Sequence, residues 1–453
     1  MRAIVVGAGE IGYNIAAQLA REKNDVVVLD RNEQRLQRVR ETLDVQTFRG
    51  NGGSPELLRQ AGLERAEIII AVTDSDEVNV VACALAGAAA KGAVLVARVR
   101  DPDYHREKGL FQASGIHIDL VINPEREAAE RILALLEMHG AVDAIPFADG
   151  RVLLLGAPVL ASGPLGGRKL RDLGPDLVRG ALVAAIEREG EVLVPSGEER
   201  LLPGDVAYLM TEPKRATDLL AALGHREVTD KLVVVFGGNN IGVAVAEGLE
   251  MMGYRPKLIE EDPDICAEVA GRLNKTVVLQ GDATDEKLLR EENVGEAAAI
   301  VCCSRSEEDN LLAGLLARQI GVKRVMLVTN RPGFLPLLGR IGVDVAVSPR
   351  RAAVGSILQF VRHGKVLSVV PLLEERAEAI EFAALETADI VGKPLLEAKL
   401  PAGAIVGAIL RNDSVVIPRG TDRIQAGDRV LLFAMREVVK AVEKAFQVRL
   451  EYF

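Results

Sequence analysis

Short apolar runs alternate along the chain with stretches of helical spacing. In the first third, Ala3–Val6, Val26–Leu29, Ile68–Val72, Val94–Ala97 and Leu120–Ile122 are nearly continuous in apolar, largely β-branched residues. Strands buried on both faces of a parallel sheet have that character, whereas half-exposed strands alternate. Between the first two runs, Ile11, Ile15 and Leu19 recur at four-residue spacing, on one face of a helix. The alternation predicts an α/β fold with a Rossmann-like, doubly wound parallel sheet.

The pattern returns later in the chain. Val-Val-Gly-Ala-Gly-Glu-Ile-Gly at 5–12 recurs as Val-Phe-Gly-Gly-Asn-Asn-Ile-Gly at 235–242, and Asp30 falls on Glu260 at the same offset of 230. Ile241, Val245 and Leu249 repeat the helical stripe, Asn79 falls on Asn310, and Pro124 falls on Pro349. A second block, Ala181–Gly197, recurs as Ala404–Gly420, and Gly204-Asp205 lands on Gly427-Asp428. The chain is therefore two tandem halves. The expected boundaries are 1–140 and 230–365 for the two sheet domains, 141–225 and 366–453 for the smaller units that follow. Those smaller units carry short strand runs split by Gly-Asp and Pro-x-Gly turns, which predicts small α+β domains with a hairpin-rich sheet. Each sheet domain ends in an amphipathic segment behind a proline, Pro124 to His139 and Pro349 to His363. Proline suits the first helical position. A closing helix of its own domain and a crossover helix on a neighbouring subunit both fit.

Composition narrows the function. With 453 residues and 49% apolar content, several packed domains are expected. The net charge of −10 lacks the basic excess of a general nucleic-acid binder, and 3% aromatics without Trp gives no base-stacking platform. Cys83, Cys266, Cys302 and Cys303 show no CxxC spacing and read as buried thiols in a reducing compartment. The five histidines stand apart, so no metal ligand set is assigned. The N-terminus runs straight into a strand without signal-peptide character, and Val78 to Ala90 falls short of the roughly 20 residues of a spanning helix. A soluble, cytoplasmic protein is expected, reaching a membrane only through a partner.

The candidate chemistry is a phosphate cradle. Gly7, Gly9 and Gly12 spell GxGxxG between a predicted strand and a predicted helix. The first glycine permits a tight turn, the second the approach of a pyrophosphate, the third close packing of helix on strand. Ala8, Glu10 and Ile11 complete the loop, whose amides meet anions at the helix N-terminus. Asp30, 18 residues after Gly12, can accept hydrogen bonds from an adenosine ribose and would repel a 2′-phosphate. NAD(H) or another adenine nucleotide with a free ribose is favoured over NADP. Asn51, Thr73, Asp74 and Arg98 stand at later strand ends, where such sheets place ligands. Arg98 fits a phosphate contact and a surface salt bridge equally; Asp76, Glu77 and Asn79 fit helix caps.

The second loop reads Gly237-Gly238-Asn239-Asn240-Ile241-Gly242, with Asn239 where Gly9 stands. Its Cβ crowds a pyrophosphate. Glu260 keeps the carboxylate, Asp282 stands at the position of Asn51, and Ser304 replaces Thr73, but Asp74 becomes Arg305 and Arg98 becomes Val328. A weak site, a site for a different nucleotide and a structural relic all remain open.

With Gly-Ala-Gly-Glu-Ile-Gly at 7–12, Asp30, Val-Thr-Asp-Ser-Asp-Glu-Val-Asn at 72–79 and Ala-Arg-Val-Arg-Asp-Pro-Asp-Tyr at 97–104, the chain resembles the TrkA family. The order of the four units, tandem RCK modules of KTN plus TrkA-C domains, is similar over the full length. The resemblance implies a regulatory, non-catalytic subunit of a Trk potassium uptake system. It would bind NAD(H) and ATP or ADP at the glycine loop and form a homo-oligomeric ring, expected as a tetramer. The ring would sit on the inner face of the cell membrane beneath a potassium-conducting subunit. The rival is an NAD-dependent oxidoreductase, which needs an acid or base near the nicotinamide. None of the five histidines falls at a strand end beside the glycine loop. A Rossmann-type transcriptional regulator needs a basic helix-turn-helix, and no such segment appears.

Overall fold

The continuous apolar runs form parallel strands, the first four of them inside the sheet and Leu120–Ile122 at its edge. A computed structural model describes residues 1–101, 104, 115–173, 180–226, 228, 230–331, 338–361 and 366–446. His105, His363 and residues 102–103 of the 97–104 motif lie outside these. In the first half, β1 (Arg2–Val6), β2 (Asp25–Asp30), β3 (Gln46–Arg49), β4 (Ile68–Ala71), β5 (Val94–Arg98) and β6 (Leu120–Ile122) line up in the order 3-2-1-4-5-6, all parallel. The strand order reverses between β1 and β4, and the glycine loop leaves β1 at that reversal. Ala3, Ile4, Val5 and Val6 are fully buried, as the unbroken apolar run requires. The helix Glu10–Arg21 covers the sheet with Ile15, Ala16 and Leu19.

The second half repeats the arrangement. β12 (Leu232–Phe236), β13 (Arg255–Glu260), β14 (Val277–Gln280), β15 (Ala299–Cys302), β16 (Val325–Val328) and β17 (Val345–Val347) give the order 14-13-12-15-16-17, again parallel. Both expected sheets are present. The run-based reading missed β3, whose Gln46 and Arg49 are exposed and leave only Thr47 and Phe48 partly covered.

Between and after these sheets stand two antiparallel sheets. One is ordered 10-9-11-8-7, from β7 (Asp143–Phe147), β8 (Val152–Pro158), β9 (Ala181–Arg188), β10 (Glu191–Leu193) and β11 (Val206–Thr211). The other is ordered 18-19-22-20-21, from β18 (Val366–Leu372), β19 (Ala377–Ala383), β20 (Ala404–Arg411), β21 (Ser414–Val416) and β22 (Arg429–Met435). Ile145, Leu154, Tyr208 and Met210 share one core with Ala379, Leu410 and Phe433, so the two sheets bury their apolar faces against each other. In each sheet a buried aspartate clamps a hairpin: Arg188 donates to both oxygens of Asp205 at 2.8 Å, and Arg411 to those of Asp428 at 2.9 and 2.7 Å.

The chain divides into two compact units, Met1–Glu127 with Arg350–Val361, and Ala128–Pro349 with Arg362–Phe453. The helix Pro124–Glu137 thus belongs, from Ala128 onward, with the second parallel sheet. Ala128, Ile132, Leu135 and Leu136 share a core with Val243, Ala246 and Leu249, and Leu133 fills the space that Gly248 leaves. Buried Arg324 fastens this helix end, donating to the carbonyls of Leu135 at 2.6 Å, Met138 at 3.3 Å and Ala141. The helix Pro349–Val361 belongs, from Arg350, with the first sheet. Most of each sheet's terminal helix belongs to the compact unit of the other sheet of the same chain, an arrangement that differs from both sequence readings.

Candidate functional site

The three glycines of the first loop are there for different reasons. Gly7 has φ +107°, and its amide donates to Leu29 O at 2.7 Å. An L side chain resists that left-handed backbone, and its Cβ would press on Val72 and Thr73 at 3.0 Å. A Cβ on Gly12 would collide with the carbonyl of Gly7. The chain's own packing therefore demands the first and third glycines. Gly9 is different. Its φ of −65° suits any residue, and a Cβ there would meet only Nη1 of Arg35 at 3.7 Å. The space that Gly9 leaves is open, not filled by protein. Gly9 is also the N-cap of the helix Glu10–Arg21, and no side chain caps it. The first-turn amides have no intrahelical acceptor, and the helix dipole favours an anion in front of them.

Asp30 stands beside this space. It is 7% exposed, and its two oxygens accept from the Ala8 amide at 2.6 Å and the Asn32 amide at 2.7 Å. The acid expected to grip a ribose thus also fixes the glycine loop, with lone pairs remaining for a further donor. Arg35 approaches Asp30 at 3.9 Å and Asp74 at 3.5 Å. Sequence reasoning missed Arg35; its only signal is position, in the first turn of the helix Glu33–Thr42 that follows Asp30. Arg98 is mostly buried. It pairs with Glu125 at 2.5 Å and lies 3.8 Å from Asp74, while its Nε has no partner. Arg98 is thus an ion-paired and mostly buried residue at the carboxyl end of β5.

Glu10 accepts from Arg38 at 2.6 Å and from Arg350 at 3.0 Å. The bond to Glu10 pushes the Arg38 guanidinium above its ordinary value. Asn51 closes a small turn by accepting from the Gly53 amide at 3.0 Å. Thr73 is held by buried Asn79, which accepts from its amide and hydroxyl at 2.8 and 2.7 Å and donates to the Arg98 carbonyl at 2.9 Å. The expected caps are corrected here. Ser75 caps the helix Asp76–Ala89, Asn79 ties the ends of β4 and β5 together, and Asp76 accepts from the amides of Arg100 and Asp101. The side chain of Glu77 takes a hydrogen bond from Ser75. Gly7, Ala8, Gly9, Glu10, Ile11, Gly12, Asp30, Asn51, Thr73, Asp74 and Arg98 all lie at the carboxyl end of the first sheet.

The second loop copies the framework and changes the interior. Gly237 has φ +109°, and a Cβ on Gly242 would again strike the carbonyl of the first glycine. Glu260 accepts from the Gly238 amide at 2.6 Å and from Glu261 at 2.9 Å. Asn239 caps the helix Asn240–Met251 itself, its Oδ1 accepting from the amides of Ile241 at 3.0 Å and Gly242 at 3.2 Å. Its Nδ2 donates to the Cys303 carbonyl. Asn240 is exposed. Asp282 accepts from the Thr284 amide and hydroxyl, and the Ser304 amide donates to Asn310. Cys302 and Cys303 are fully buried, and burial pushes the Cys303 thiol up to about 12. Cys83 is buried as expected, whereas Cys266 is only partly covered.

The TrkA-N domain model matches residues 3–124 and 233–349, and the TrkA-C domain model matches 154–224 and 379–447. The chain is 36% identical, over the whole of both chains, to a Trk system potassium uptake protein TrkA of Azorhizobium caulinodans. It is 35% identical to a TrkA homolog of Methanosarcina mazei, over 99% of this chain and 100% of that one. Among solved structures, the GsuK channel bound to NAD matches with a TM-score of 0.63 at 21% identity, over 98% of this chain and 78% of that one. GsuK bound to ADP matches with a TM-score of 0.52 at 16% identity, covering 80% of this chain and 69% of the other. At such identities these structures establish the shared fold.

Proposed function

The chain belongs to the TrkA family, and on that premise we propose that it is the nucleotide-responsive regulatory subunit of a Trk-type potassium uptake system. The observation that carries the nucleotide part is the open cradle at Gly9, bounded by uncapped helix amides, Asp30 and Arg35.

The residues fit an adenine nucleotide such as NAD(H), ADP or ATP. The amides from Gly9 to Gly12 would hold the phosphates, Asp30 the ribose, and Arg35 and Arg98 the remaining charge. When bound, the nucleotide supplies negative charge and an adenosine anchor, not a reaction. Glu10, Asp74 and Glu125 already neutralise the surrounding arginines. Phosphate charge would compete with these carboxylates for the same cations. Glu125 opens the helix Pro124–Glu137, so a changed hold on Arg98 bears directly on the start of that helix.

Regulation then follows from differential affinity. A ligand shifts a two-state assembly only by binding one state more tightly than the other. Moving the population from 1:99 to 99:1 takes about 5.5 kcal/mol, which several copies in one assembly can share. We read the assembly as a ring, expected as a tetramer, at the inner face of the membrane beneath the conducting subunit. Among the described residues no helix is long and apolar enough to cross a membrane. Calorimetric titration of the chain with NADH, ADP and ATP tests the site, and co-purification with a Trk-type membrane subunit tests the partner. Binding lost in Asp30→Ala supports this reading; undiminished binding removes the assignment to this loop. Incubation with NADH and a panel of carbonyl compounds tests the oxidoreductase alternative, which steady oxidation would favour.

A further inference from the structure

We infer that the second glycine loop is closed to nucleotides by Asn239, whose side chain occupies the place of a phosphate. The inference rests on the reading of the first loop as the nucleotide site, and it fixes which half of the chain responds.

The two loops share their framework. Both have a left-handed first glycine, a third glycine pressed against the carbonyl of the first, and a carboxylate holding the amide after the first glycine. They differ where a phosphate would sit. In the first loop the helix amides face the open space at Gly9. In the second, the Asn239 carbonyl oxygen takes the amides of Ile241 and Gly242, the donors that a phosphate oxygen would use. The Asn239 amide nitrogen is anchored in turn to the Cys303 carbonyl, so the side chain is tied at both ends. An entering phosphate would have to break all three bonds and leave a buried carbonyl unpaired.

The charge complement agrees. The repeat places Ile265 at the position of Arg35, Glu268 at that of Arg38, and Val328 at that of Arg98. Pairing of Arg98 with Ile122 and of Val328 with Val347 fixes the last equivalence in register. Arg305, at the position of Asp74, is a cation, and it is exposed. Three positions that are basic around the first loop are thus apolar or acidic around the second. Glu260 keeps the carboxylate, bonded to its own loop as Asp30 is, so the difference lies in the plug and in the lost basic residues.

The test is calorimetric titration of ADP into three full-length chains: the unaltered protein, Gly9→Asn, and the double variant Asn239→Gly/Ile265→Arg. Both Gly9 and Asn239 have extended backbone that either residue adopts, and a Cβ at Gly9 has room. Equal melting temperatures for the first two chains show that the transplanted asparagine leaves the fold intact. The expected stoichiometries are one, zero and two nucleotides per chain. Two sites in the unaltered protein with one left in Gly9→Asn overturn the inference and leave the first-loop reading standing. One site in both of those chains places the nucleotide elsewhere and overturns both. No site in the unaltered protein removes the first-loop reading alone; the double variant then decides, a gained site supporting the plug. A double variant with no more sites than the unaltered protein overturns the role of Asn239.

Discussion

The carboxylate of Asp30 and the backbone amide of Ala8 are joined by a 2.6 Å hydrogen bond, so the acid at the end of β2 sets the shape of the loop leaving β1. Asp30→Ala therefore removes a ligand for the ribose and a support for the loop together. Charge-assisted hydrogen bonds contribute about 1.5–3 kcal/mol. The expected loss of ADP and NADH affinity is about tenfold or more, read by calorimetry. Asp30→Asn keeps an acceptor for Ala8 and is expected to retain more of the melting temperature than of the affinity.

Gly9 and Gly12 separate binding from folding. Gly12→Ala drives a Cβ into the carbonyl of Gly7 and is expected to destabilise the first sheet domain by about 1–3 kcal/mol, the usual cost of overpacking. Gly9→Ala meets no protein atom closer than 3.7 Å and is expected to change stability by under about 0.5 kcal/mol. Its nucleotide affinity falls nevertheless, because the Cβ enters the open space. Melting curves with and without ADP check both outcomes.

These contrasts also show what was legible in the residues. The unbroken runs around Ile4 and Ile69 announced parallel strands, because a strand covered on both faces has no polar side. β3 was hidden because Gln46 and Arg49 face solvent. The GxGxxG spacing identified the loop, yet spacing does not say that Gly12 serves packing while Gly9 leaves an open space; that distinction needs φ and the neighbours of the missing Cβ. Arg35 was invisible because it approaches Asp30 through a helix, not a motif. The sequence shows at Asn239 only a Cβ where Gly9 stands; that its amide group caps the helix and reaches the Cys303 carbonyl needs the structure. The exchange of terminal helices was out of reach, because an apolar face such as Ile132 and Leu135 specifies burial and not the surface that supplies it.

Arg324 is a cation with three carbonyl partners and 8% exposure, and burial lowers its guanidinium to about 10. Removing it takes a donor from the carbonyls of Leu135, Met138 and Ala141, of which Met138 keeps the Ala141 amide at 3.0 Å. Arg324→Ala is expected to cost about 1–3 kcal/mol, the scale of a buried acceptor left without its donor. Arg324→Lys should rescue little, since an ammonium cannot reproduce the planar fork. Thermal unfolding of the two variants checks this.

Asp205 carries a pH dependence. Burial opposes its ionisation, but the bonds from Arg188 and the Leu202 amide prevail, and its carboxyl lies below the ordinary 3.8. A carboxylate lowered in the folded state stabilises above its unfolded value, and that stabilisation is lost as pH falls through the folded one. The melting temperature of Asp205→Asn is therefore expected below that of the unaltered protein at pH 7. The gap should narrow progressively below pH 3.8.

Potassium flux is the most direct test of the whole account. A Trk-type membrane subunit is reconstituted in liposomes with this chain, and potassium flux is followed while ADP, ATP or NADH is added. The account predicts a nucleotide-dependent change in flux with the unaltered chain, absent with Asp30→Ala and with Gly9→Asn. A flux that ignores all three nucleotides, or one that responds equally in the two variants, would contradict it.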